Sequence, residues 1–155
     1  MRFISHRGNI DGPNPRMENN PQYIDKAISS GFDVEIDLWV VDSKLFLGHD
    51  SGEHIIDKKW IFERSCHLWL HAKNIPAICW LSSASNNGLN FFWHQNDDIS
   101  RTSSGILWTY PGIELTSMSV CVMPEIADYT HDEIGGAWGI CSDLIKLHKD
   151  RYENI

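Results

Sequence analysis

Phe32-Asp33-Val34-Glu35-Ile36-Asp37-Leu38-Trp39 is the stretch on which the fold reading turns. It has the apolar, strand-like composition of a β-strand and ends among polar residues, and comparable runs recur along the chain at 2–5, 44–48, 68–72, 89–93, 105–109, 119–123 and 137–142. Eight such runs make a parallel barrel the simplest arrangement. The sequence therefore predicts an α/β fold, a compact (β/α)8 TIM-type barrel, with residues 1–155 as a single domain. The clearest helix covers 20–30, opened by Asn20-Pro21 and stopped by Gly31, with further helices predicted over 56–64, 76–83 and 144–152. Between the later strands the connections are too short for helices, because a parallel crossover takes about a dozen residues or more. A full barrel of this class needs roughly 250 residues, so the outer helical layer should be reduced. Apolar flank left uncovered by it predicts a homo-oligomer.

Composition narrows the partners. The 155 residues are 42% apolar, enough for one buried core, and carry a formal net charge of -8. Nucleic-acid backbones and anionic membranes attract basic surfaces, so neither is expected as a partner, and a small molecule is favoured. No run approaches the roughly 18 apolar residues of a membrane span and no leader pattern opens the chain, which reads as soluble and cytoplasmic. Cys66, Cys79, Cys121 and Cys141 show no ligand or redox spacing and are expected as reduced core residues. The seven tryptophans are expected mainly in the core, with one or two free to line a pocket.

The chemistry concentrates at strand ends, which in parallel barrels converge on one mouth. Glu35 and Asp37 lie two apart on one strand and so face the same side. Two like charges on an inward face are costly unless a cation joins them, which points to a divalent ion with oxygen ligands. His6 and His49 follow the first and third runs and flank the carboxylate strand. Their imidazoles suit acid and base roles near neutral pH, Arg7 suits a phosphate, and Gly8 lets the loop approach a ligand.

In order and spacing, His6-Arg7-Gly8, Glu18-Asn19, Glu35-Ile36-Asp37 and His49-Asp50 resemble the amino-terminal signature of glycerophosphodiester phosphodiesterases. Those enzymes belong to the phosphatidylinositol phospholipase C-like superfamily of barrels. The resemblance implies a magnesium or calcium ion held by Glu35 and Asp37, with Glu18 and Asn19 helping to bind the metal or order the site. It also implies His6 and His49 as acid and base and Arg7 on the phosphate. Farther on, Leu70-His71-Ala72-Lys73 is similar to a run where the family has a carboxylate ligand and then a lysine. Lys73 fits the lysine. His71 stands in place of the carboxylate, a softer nitrogen donor that would favour manganese or another transition ion.

Trp138-Gly139-Ile140-Cys141-Ser142-Asp143 is similar to the family's closing strand. The intervening strand ends place His94, Trp108, Tyr110 and Glu125 as candidate substrate contacts. Asp97-Asp98 and Asp132-Glu133 read as solvated loop charges, and His54, His67, His131 and His148 as surface or packing residues. The expected activity is metal-dependent hydrolysis of a small glycerophosphodiester-like compound. Its rivals are a phospholipase D-type lyase that stops at a cyclic phosphate and a noncatalytic phosphoester-binding barrel.

Overall fold

The computed structural model describes residues 1–153. Ten strands form one sheet: β1 (Arg2–His6), β2 (Asp33–Val41), β3 (Lys44–Leu47), β4 (His54–Ile56), β5 (Leu68–Ala72), β6 (Phe91–Trp93), β7 (Ile99–Arg101), β8 (Leu107–Thr109), β9 (Ser119–Val122) and β10 (Gly139–Ser142). The helices are α1 (Pro21–Ser29), α2 (Lys58–Glu63), α3 (Ile75–Leu81), α4 (His131–Gly135) and α5 (Ile145–Tyr152). From one edge to the other the main order is β6-β5-β2-β1-β10-β9-β8, all parallel, with β7 antiparallel on β8.

This is a mixed sheet curled into a half-barrel, and the expected (β/α)8 barrel is not formed. Two short connections overturn it. The run at 44–48 is no independent barrel strand: Val41 pairs with Lys44, so β2 and β3 make a hairpin whose turn is Asp42-Ser43. Both turn residues have positive φ, 49° and 62°, as a two-residue hairpin turn requires. A turn of that length cannot carry a parallel crossover. β3 then pairs antiparallel with β4, and β7 and β8 form a second hairpin. The curled path ends at β6 and β7, bridged through Ser103, whose backbone amide donates to the Phe91 carbonyl at 2.7 Å, while β4 forms a further edge beyond β3.

The four predicted helices are present as α1, α2, α3 and α5, while α4 was not anticipated. Its capping box, in which the Thr130 hydroxyl accepts from the Glu133 amide and Glu133 reaches back to the Thr130 amide, corrects the reading of Glu133 as a loop charge. No α-helix lies between α3 and α4 in sequence; β6 is covered by α3 and β9 by Ile134 of α4 and Ile145 of α5.

Alternation along the strands divides the core in two. Val34, Ile36, Leu38, Leu68 and Leu70 point outward and pack against Ile24, Ala27, Ala77 and Leu81 of the helices. Ile4, Trp69, Phe92, Trp108, Val120 and Cys141 fill the inside of the curl. Trp108 stacks on Phe92 at 4.6 Å between centroids and lies 5.7 Å from Trp69, closing the interior beneath the strand ends. Cys121 and Cys141 are buried as expected, but Cys66 and Cys79 are exposed, so the core reading of those two is corrected. Among the described residues no helix is long and apolar enough to cross a membrane.

Candidate functional site

The site is assembled where β1, β2 and β5 end. After His6 the chain turns sharply: Arg7 adopts a left-handed φ of 53° and Gly8 one of 95°. A Cβ on Gly8 would meet the Tyr23 ring at 2.7 Å, so the close approach and the backbone both demand glycine. The Arg7 amide donates to the Glu35 carbonyl at 2.9 Å and its carbonyl accepts from the Asn19 amide at 3.0 Å, which ties this turn to β2 and to the loop before α1. Asn19, itself left-handed at φ 61°, is fully buried. Its side chain accepts from the Asp37 amide at 2.9 Å and donates to Asp37 Oδ2 at 2.8 Å. Asn20 then caps α1 through the Gln22 amide, with Pro21 in the first turn.

Asp37 is the buried hub. Arg7 Nε lies 2.9 Å from its Oδ2, while Lys73 Nζ and His71 Nδ1 lie 3.2 and 3.1 Å from its Oδ1. Burial alone would raise the Asp37 pKa, but the His71 contact and the Arg7 and Lys73 charges hold it well below the usual carboxylate range. His71 also approaches Glu35, with Nδ1 3.6 Å from Oε1. Burial works against its charged form, yet the two carboxylates outweigh that and push its pKa up to about 9. Its other nitrogen, Nε2, lies 3.4 Å from the His94 carbonyl, and its ring stacks on Phe92.

His6 is held on the opposite side of Glu35. Its Nδ1 is 2.8 Å from Asp143 Oδ1 and its Nε2 3.9 Å from Glu35 Oε2. Burial lowers the His6 pKa, but the Asp143 hydrogen bond and the Glu35 charge more than offset it, and the net shift is upward. Asn9, fully buried, donates to Asp143 Oδ1 at 2.7 Å and to Glu18 Oε1 at 3.0 Å, while Glu18 Oε2 lies 3.2 Å from Arg7 Nη1. Asp143 and Asn9 are site residues that the sequence reading left out of its set. The sequence marks Asp143 only as the residue that closes the last strand.

A pocket of about 470 Å³ opens above this group. Of the candidates, His6, Arg7, Glu35, His49, His71, Lys73, His94, Trp108 and Tyr110 line it. Asp37 and Asn19 lie buried with them, and Glu18 braces Arg7 from the side. His49 stands differently from His6: it is 46% exposed, on the loop after β3, and its Nδ1 pairs with Asp50 at 2.8 Å. Tyr110 and His94 form the far wall, their rings stacked at 3.7 Å. Burial and then the His71 charge lower the His94 pKa, and burial and then the Glu35 charge raise that of Tyr110. Glu125 does not reach the pocket. It accepts from the Ser142 hydroxyl at 2.8 Å and lies 3.5 Å from His148 Nε2 on α5.

Comparisons with family models, curated proteins and solved structures give no match. The chemistry of the site therefore rests on its own geometry.

Glu35, Asp37 and His71 form a group that could hold a metal ion, with one ligand atom from each within 4.8 Å of the others. Two observations fit this. Glu35 Oε2 is buried and accepts no hydrogen bond among the described residues, with only His6 Nε2 facing it at 3.9 Å. His71 has its second nitrogen at a backbone carbonyl, the arrangement that fixes the orientation of metal-ligating histidines.

Proposed function

We propose that this protein hydrolyses a small phosphodiester, with a divalent ion held by Glu35, Asp37 and His71 and with His6 as a proton-transfer group. The observation that carries the reading is the convergence of His6, Arg7, Glu35, His71 and Lys73 on one pocket at the carboxyl ends of parallel strands. A bound divalent ion would polarise a phosphoryl oxygen and neutralise charge. Arg7 and Lys73 supply positive charge beside the carboxylates, where a guanidinium and an ammonium stabilise the charge that grows on a reacting phosphoryl group. His6, oriented by Asp143, presents Nε2 toward Glu35 and is placed to give or take a proton there. His49, which lines the same pocket at its rim, is the partner of opposite role. Tyr110 and His94 give the alcohol part of the substrate a flat wall.

One observation favours a second reading, in which the pocket binds a phosphoester without cleaving it. Arg7, Lys73 and His71 already surround Asp37, so its charge is balanced by the chain's own cations. Hydrolysis of a panel of diesters, including glycerophosphocholine and glycerophosphoethanolamine, with magnesium, calcium and manganese separates the two. His6→Ala should lower turnover by about 100-fold or more, the low end for general acid or base work. Full activity in that variant would defeat the mechanism, and calorimetric binding with no turnover under any ion would establish the binding module. Phosphorus NMR of the product distinguishes hydrolysis from the cyclising lyase.

A further inference from the structure

A second cavity, of about 630 Å³, lies outside this site and shares no lining residue with it. It is bounded by the loop 10–14, by Lys26 and Ser30 at the end of α1, and by Lys146 and Lys149 on α5, with Tyr23 and Phe32 in its walls. Three lysines around one cleft are conspicuous in a chain of net charge -8. Local acids neutralise them only in part: Lys146 Nζ lies 3.5 Å from Asp11 and Lys149 Nζ 3.8 Å from Glu153, and among the described residues no ion pair forms at Lys26. Lys149 is held over the Phe32 ring at 5.1 Å, which keeps its ammonium in the cleft.

We infer that this cavity is a binding site for a small, soluble, phosphate-bearing anion. Its size falls within the range of small-molecule sites, roughly 300–1,000 Å³. Ammonium groups on flexible stems suit a multiply charged phosphate, which they meet as point charges from several directions. The wall of the cavity also touches the framework of the first site. The Tyr23 hydroxyl donates to Asn9 Oδ1 at 3.3 Å and the Asn14 amide to the same atom at 3.1 Å, and Asn9 is the residue that donates to Asp143.

The test uses inorganic pyrophosphate and the full chain. Titration calorimetry on the wild type, on the double variant Lys26→Gln/Lys149→Gln and on Arg7→Ala reads each site separately. Each lysine lost should weaken binding on the order of tenfold, the weight of a charge-assisted hydrogen bond, so the double variant should lose about 100-fold. Arg7→Ala should keep this binding event. Amide shifts in the wild type should centre on 10–14 and 146–149. Unchanged affinity in the lysine variant, or no binding event that survives Arg7→Ala, would overturn the inference. Because only binding is read, neither result depends on whether the chain cleaves a diester.

Discussion

Replacing Asp143 with alanine removes two partners at once, the acceptor for His6 Nδ1 at 2.8 Å and the acceptor for Asn9 Nδ2 at 2.7 Å. Both bonds end on the ionised Asp143 carboxylate and are charge-assisted, worth about 1.5–3 kcal/mol each, and at the lower end, fitting a partly exposed carboxylate, the loss should be roughly 3 kcal/mol. For a chain of this size that lowers Tm by about 6–12 °C. The pH dependence makes the expectation sharper. His6 is raised above its ordinary value of 6.5, so its contribution is complete below 6.5 and is lost as pH rises through the folded-state pKa. Asp143 is shifted the other way: burial would raise it, but the His6 bond lowers it below 3.8, and its contribution fails only as pH falls through that lowered value. The Tm gap between wild type and Asp143→Ala should therefore be widest near about pH 5.5 and narrow toward about pH 9. Thermal melts at the two pH values, with His6 titrated by NMR, provide the check. A gap that stays constant or widens with pH, or a His6 pKa unmoved by the substitution, would refute the reasoning.

Asp37→Asn should destabilise the fold by about 3–5 kcal/mol, since it leaves Arg7, Lys73 and His71 without their buried counter-charge; a urea midpoint equal to that of the wild type would exclude the hub role. Metal affinity should rise about tenfold per pH unit up to about pH 9, because an ion must displace the His71 proton, and calorimetry in two buffers of different ionisation heat should show proton release. A flat profile would remove His71 from the ligand set. Gly48→Ala should cost about 1–3 kcal/mol, since φ there is 153° and a Cβ would lie 2.0 Å from the Ser51 carbonyl oxygen, so the loop bearing His49 must rebuild; an unchanged melting curve and unshifted His49 resonances would contradict this.

Much of the local structure was legible because it obeys short-range rules. The period of two in 33–37 put Glu35 and Asp37 on one face, and both do lie beside His71. Asn20-Pro21 and Gly31 bracketed α1 within a residue or two. Strand direction was harder to read, since an apolar run has the same composition whichever way it pairs. The signal for β3 was present in Asp42-Ser43, a two-residue link of turn formers, and reading its length first would have given the hairpin. β4 and β7 span three residues each, as do β6 and β8, but they lie outside the apolar runs 89–93 and 105–109 that reveal those two. Glu125 was misplaced for a related reason: Met123, left-handed at φ 46°, redirects the chain after β9, and the carboxylate pairs with His148, a partner 23 residues on that no local pattern announces. Asp143 escaped for the same reason at longer range.

The bond between His6 and Asp143 joins residues 137 apart in sequence, and β1 sits in mid-sheet against β10. During synthesis β1 must wait for β10 before its second edge is paired. Loop closure over that span costs entropy before any contact repays it, which makes such folding slow. His6 is thus oriented only after residue 143 has left the ribosome, so any shorter nascent chain carries the motif at 6–8 without the contact that fixes its ring.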